Sequence, residues 1–249
     1  MEVLDNLIVK NGFVIAFLFV GLAMYVAHWL SKTFTNKKIP GVALAILAAL
    51  IFAYFGGEKG IADYPLFGGM ALLGGSMMRD FSIVATAMGA SFEELRKTGL
   101  AGIVSLLTGV IVTFFVGGSI GYAMGYTDPV SFTTIGAGAC TYIVGPITGS
   151  AIGASSDLIA ISIAAGVMKT IFVTIITPIV AKRIGLDNPV TAMVFGGLIG
   201  TTSGVAAGLA ATDPKLVPYG ALTATFYTGL GVLLCPSILY MIVMYSLGG

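Results

Sequence analysis

Asp128-Pro129-Val130-Ser131 is answered sixty positions later by Asn188-Pro189-Val190-Thr191, and each copy opens a run of glycine and small hydroxyl residues in an otherwise apolar chain. The register continues. Gly136-Ala137 is matched by Gly196-Gly197 and Thr141 by Thr201; after a slip of one residue, Gly145 and Gly149 are matched by Gly204 and Gly208. Each run closes on a hydroxyl-Asp pair, Ser156-Asp157 and Thr212-Asp213. Duplicated, glycine-broken segments at membrane depth point to a transporter's binding site, because the backbone groups they free must be used by something.

Composition supplies the membrane. The chain is 57% hydrophobic and only 9% charged, with a mean hydropathy of +1.02, whereas soluble domains carry about a quarter charged residues. The fold class expected is therefore an all-α polytopic membrane protein, with 1–249 as a single transport domain. A net charge of +1 argues against a nucleic-acid partner, which would leave a basic patch. Cys140 and Cys235 stand alone, with neither metal nor disulfide spacing. The first apolar stretch, Asn11 to Ser31, is longer than a signal-peptide core and follows Glu2 and Asp5 rather than a basic segment, so it reads as a retained span.

A crossing helix needs roughly 20 apolar residues. Six stretches qualify: 11–31, 39–55, 64–89, 98–124, 158–181 and 217–245. Ser91-Phe92-Glu93-Glu94 carries a capping-box pattern that restarts a helix between the third and fourth. The runs 128–157 and 188–213 are too short for two crossings and too glycine-rich for one comfortable helix, since each glycine costs about 1 kcal/mol relative to alanine. Each is either a broken helix that crosses once or a re-entrant hairpin.

Basic residues decide between these, because they gather in cytoplasmic loops. With hairpins, Lys32, Lys37, Lys38, Arg96, Lys97, Lys182, Arg183 and Lys215 share one side, eight against Lys10 and Lys59; with single crossings the count is six against four. Hairpins are favoured. One hairpin plus one crossing is an odd number of passages, so the units 128–181 and 188–245 become an inverted repeat whose hairpins enter from opposite faces.

Polar residues inside the apolar runs are the candidate site. Pro146 removes an amide donor, which places the first break at Val144 to Pro146. Around it stand Thr141, Gly145, Pro146 and Thr148, and the second run offers Thr201, Thr202, Ser203 and Gly204. Amides and hydroxyls suit a carboxylate; carbonyls and hydroxyls suit sodium. The plain alternative is that these small residues only let helices pack closely. Lys169, in the middle of a span, either meets a substrate carboxylate or neutralises a buried acid such as Asp157. Gly138, Ser155, Ser156, Asp157, Thr212 and Asp213 are candidates for a cation, though the last residues of each run also read as helix caps. Arg79 and Asp80 are further intramembrane charges. His28 beside Trp29 fits an interfacial aromatic belt. No nucleotide fingerprint, zinc spacing or catalytic triad is present, so an enzyme is not expected and no cofactor is implied beyond a coupling Na+ or H+.

The segments Gly136-Ala-Gly-Ala-Cys-Thr-Tyr-Ile-Val-Gly-Pro146, Gly153-Ala-Ser-Ser-Asp157 and Thr202-Ser-Gly-Val-Ala-Ala-Gly-Leu-Ala-Ala-Thr-Asp-Pro-Lys215 resemble the MadM subunit of the bacterial malonate transporter. The resemblance runs from Asn11-Gly12 to the Pro236 region. It implies a secondary carrier of the bacterial cytoplasmic (inner) membrane that imports malonate with sodium or protons, alongside a smaller membrane subunit, MadL. The rival readings are a passive anion channel or uniporter and a structural membrane subunit without a site of its own.

Overall fold

The repeated Asp/Asn-Pro-Val-Ser/Thr motif is a helix start. In the computed structural model, which describes residues 10–34, 41–56, 60–70, 93, 96 and 99–247, Asp128 Oδ1 accepts from the Ser131 amide at 2.9 Å. Asn188 Oδ1 accepts from the Thr191 amide at 3.0 Å, and Thr191 Oγ1 accepts in return from the Asn188 amide at 3.4 Å, closing a capping box. Pro129 and Pro189 follow at the first helical turn, where a missing N–H costs nothing and a fixed φ helps. Partial burial pushes the Asp128 carboxyl up, but the hydrogen bonds from Ser131 and its neighbours outweigh it and hold the group below its ordinary value.

Two units are described separately. The first, residues 1–88, contains α1 (Gly12–Phe34), α2 (Gly41–Tyr54) and the short 3-10 turns Ile61–Asp63 and Pro65–Phe67. The second, residues 89–249, contains α3 (Gly99–Ala123), α4 (Pro129–Cys140), α5 (Val144–Ala151), α6 (Ser156–Val180), α7 (Pro189–Ile199), α8 (Thr202–Thr212), α9 (Val217–Leu234) and α10 (Tyr240–Leu247). A π turn at Cys235–Leu239 joins α9 to α10. Among the described residues there is no strand.

Among those residues, four helical runs are long and apolar enough to cross a membrane: Gly12–Phe34, Gly99–Ala123, Ser156–Val180 and Pro214–Leu247. They match four of the six expected stretches. The expected 39–55 span forms the 14-residue α2, shorter than a full crossing. Most of 64–89, with Arg79 and Asp80, lies outside the described residues, as does Ser91 of the expected capping box.

Burial in the second unit runs opposite to a soluble domain. Leu100, Ile103, Val116, Phe172 and Ile179 are all at least half exposed, whereas Ser105, Thr141, Ser162, Thr170, Thr174, Thr177, Thr201 and Thr223 are buried. Lipid tails are as apolar as leucine, so close helix approach through small and hydroxyl residues, rather than hydrophobic exclusion, holds such a bundle together. Gly136 shows the closeness: a Cβ there would lie 2.6 Å from the Phe114 carbonyl of α3.

Candidate functional site

Each glycine run is a helix, a break and a second helix. The first break spans residues 141–143, between α4 and α5, and the second spans residues 200–201, between α7 and α8. The first helices differ by one residue in length and the breaks by another, so the offset of 60 at the starts of the first helices becomes 58 at the starts of the second. Pro146 is not in the break, contrary to the expectation of Val144 to Pro146. It lies in the first turn of α5, whose amides have no intrahelical partner, so a residue without one fits there. The chain turns instead at Thr141, which is extended (φ −154, ψ 153). Its Oγ1 accepts from the amides of Ile143 at 3.2 Å and Val144 at 3.1 Å and so caps α5. The second break uses Gly200 in the left-handed region at φ 77, followed by extended Thr201.

Both pairs of short helices fold back. A Cβ on Gly145 would lie 2.8 Å from Gly138 Cα, and one on Gly149 would lie 2.9 Å from the Thr134 methyl, so α4 and α5 are antiparallel neighbours. In the second pair, one Gly220 of α9 faces both the Ala192 carbonyl of α7 and Leu209 of α8. Residues on either side of the break therefore stand at the same height.

Helix α6 carries the two breaks on its central turns. Going along it, Ser162 meets Gly138 and Gly145, Gly166 packs against the Tyr142 backbone, and Lys169 donates to the Cys140 carbonyl at 3.0 Å. Thr170 Oγ1 then pairs with Thr201 Oγ1 at 2.7 Å, and Thr177 faces Gly208 of α8. The first pair thus approaches from the N-terminal end of α6 and the second from its C-terminal end. Their tips meet at Gly166 to Thr170.

Tyr227 of α9 is the side chain common to both breaks. Its ring lies under the Lys169 ammonium, 5.2 Å from nitrogen to ring centre, and any side chain on Gly200 would overlap the same ring. Its hydroxyl donates to the Gly109 carbonyl of α3 at 3.2 Å. Fully buried, it fixes the spacing of the two tips. Lys169 therefore places a half-buried charge beside the C-terminal, partly negative end of α4.

The structure gathers Gly138, Thr141, Gly145, Lys169, Thr201 and Gly204 around the middle of α6, with Thr148 one turn further along α5. Thr202 and Ser203 open α8, half-buried. The remaining candidates lie at the outer ends. Ser155 is exposed and caps α6 by accepting from the Leu158 amide at 3.3 Å, with exposed Ser156 and Asp157 beside it. Thr212 donates to the Gly208 carbonyl at 2.8 Å, and Asp213 accepts from the Lys215 amide at 3.0 Å. Asp157 lies twelve residues before Lys169, roughly 18 Å along the helix, too far to neutralise it. Sequence reasoning passed over Tyr227, Gly166 and Thr170. The signal for the last two was available: Ser162, Gly166, Thr170, Thr174 and Thr177 recur every three or four residues, which marks one face of a helix.

A cavity of about 590 Å³ lies along α6 and α7, lined by Phe172, Val173, Ile176, Phe195, Leu198 and neighbours. It contains neither Lys169 nor the break threonines, and its apolar lining suits a lipid tail rather than a dicarboxylate.

A family model described as the malonate/sodium symporter MadM subunit matches residues 4–247. The chain belongs to that family. No curated protein and no solved structure matches it. The MadM-family match covers both glycine runs and all four crossing-length helices, so the site lies wholly within the family's extent.

Proposed function

We propose that this chain is the substrate-handling subunit of a secondary carrier that imports malonate with a cation across the bacterial inner membrane, working with a second membrane subunit. The observation that carries this reading is Lys169. An ammonium has three donors; one serves the Cys140 carbonyl and the charge rests on the Tyr227 ring, which leaves N–H capacity for a carboxylate at the meeting point of the breaks. The amides that open α8 add partial positive charge for an anion.

Alternating access follows from the approach directions. We read the helix pairs as re-entrant hairpins and units 128–181 and 188–245 as an inverted repeat, each a short helix, a break, a short helix and a long helix in the same order. Withdrawal of either tip from α6 opens the centre to one face only. A passive channel has no need of two tips that meet on adjacent turns of one helix beside a lysine.

The test is uptake of labelled malonate by vesicles holding both subunits. Accumulation above the outside concentration, driven by an inward cation gradient, is expected, and mere equilibration would reduce the protein to a channel. Lys169→Gln is expected to lower kcat/KM for malonate by about 100-fold or more, the scale of a buried charged hydrogen bond, while the complex still assembles. Undiminished transport in that variant removes Lys169 from the site.

A further inference from the structure

Threonine within a helix ordinarily satisfies its own hydroxyl, because Oγ1 reaches a carbonyl one turn back. Here Thr170, Thr174, Thr177, Thr212, Thr225 and Thr228 each donate to the carbonyl four residues earlier, at 2.6 to 3.2 Å. Among the described residues, three buried threonines have no partner at all. Thr133, Thr134 and Thr148 are 0% exposed, and their hydroxyls have no hydrogen-bond partner. All three belong to the antiparallel pair α4 and α5. A buried, unmet hydroxyl costs free energy that a local carbonyl could have offset, so these groups are turned toward something other than their own helices.

Topology brings them together. The Thr134 methyl sits against Gly149, the residue after Thr148, where the two arms touch. Thr133 lies one turn before Ala137 and Thr148 one turn after Val144, and Ala137 and Val144 pack in one cluster with Cys235 and Leu239 of the π turn. At that turn Pro236 has no amide to offer the Val232 carbonyl, and π turns inside α-helices recur at functional sites.

We propose that the hydroxyl oxygens of Thr133, Thr134 and Thr148 form the position of the coupling cation, a monovalent ion such as sodium, inside the first helix pair and apart from Lys169. This rests on the carrier reading above. Hydroxyl oxygens carry two lone pairs each, and hard cations take oxygen ligands. Lys169 bonds at Cys140, six residues from Thr134 and roughly 9 Å along the helix, so the carboxylate and the cation occupy different levels of the same hairpin. Asp63, Glu93, Asp128, Asp157 and Asp187 are exposed and Asp213 half-buried, which leaves neutral oxygens, not a buried acid, to hold the ion among the described residues.

The experiment titrates sodium chloride, balanced by choline chloride at constant ionic strength, into the purified two-subunit complex without malonate and follows thermal unfolding. Wild type is expected to gain Tm saturably with sodium, as any ligand of the native state produces. Thr134→Val and Thr148→Val are expected to match or exceed wild type in choline, because a methyl replaces an unmet hydroxyl, and to lose the sodium-dependent gain; Thr148→Ser keeps it. In uptake, half-maximal sodium should rise about tenfold or more in the valine variants, while KM for malonate at saturating sodium stays within about threefold in Thr134→Val. Valine variants with the wild-type sodium response overturn the assignment but leave the carrier reading standing. Variants that unfold earlier in choline give the hydroxyls a packing role and overturn it too. A wild type whose uptake ignores sodium overturns the assignment, and one that only equilibrates malonate under any cation gradient overturns the carrier reading as well.

Discussion

Asp128 and Asn188 occupy the same position in the two copies of the repeat and perform the same capping task with different chemistry. Each accepts from the amide three residues on, yet only the aspartate titrates. Because folding lowers its pKa, Asp128 stabilises the fold above its unfolded value of 3.8, and the contribution fades as pH falls through the lower folded value. Asp128→Asn should therefore keep the cap and abolish that acid sensitivity, whereas Asp128→Ala should cost about 1 kcal/mol at neutral pH. Thermal unfolding of the three forms at pH 7 and below pH 4 checks both. The Lys169 reading belongs to this scale too: its position in mid-span was visible in the sequence, but its partners, Cys140 and Tyr227, lie 29 and 58 residues away.

At the scale of elements, the two breaks differ in how they turn. The first passes through extended Thr141, a conformation open to any residue, and the second through Gly200 at φ 77. A side chain at Gly200 meets two obstacles, the left-handed backbone and the Tyr227 ring. Gly185, at φ 66 with nothing within 4 Å, meets only the first. Gly185→Ala should thus cost about 1 kcal/mol, while Gly200→Ala should cost distinctly more, roughly 2–4 kcal/mol, by adding displacement of a buried aromatic ring. Comparison of the two variants' unfolding transitions separates strain from packing, and equal losses would remove Tyr227 from the second tip. Pro146 illustrates why the first break was misplaced from sequence: proline is tolerated in a first helical turn as readily as it ends a helix, and composition does not distinguish the two.

For the whole molecule, the consequence of interest is direction. If the pairs α4–α5 and α7–α8 enter from opposite faces, their outer ends lie on opposite sides of the membrane. Ser155→Cys at the start of α6 and Lys215→Cys after α8 are exposed positions at those ends, and the native Cys140 and Cys235 are buried. A membrane-impermeant maleimide added to sealed vesicles is expected to label one of the two positions, and to label the other only after the vesicles are opened. Labelling of both from the same side would remove the inverted arrangement and with it the two-gate account of transport.

Local chemistry determined much of this protein. Hydropathy alone marked six stretches, four of which are helices of crossing length among the described residues, since the bilayer imposes length and apolarity on each span independently of its neighbours. The Asp/Asn-Pro-Val-Ser/Thr copies marked two helix starts, because a cap and its amides lie within four residues. Tertiary structure decided the rest. That both breaks lie on the same turns of α6, that Lys169 reaches Cys140 rather than Asp157, and that Tyr227 touches both tips are contacts between residues 24 to 58 positions apart. Nor does sequence indicate which threonines bond to their own helix and which do not. A hydroxyl's partner is set by its rotamer and by what packs against it, and those are properties of the assembled bundle.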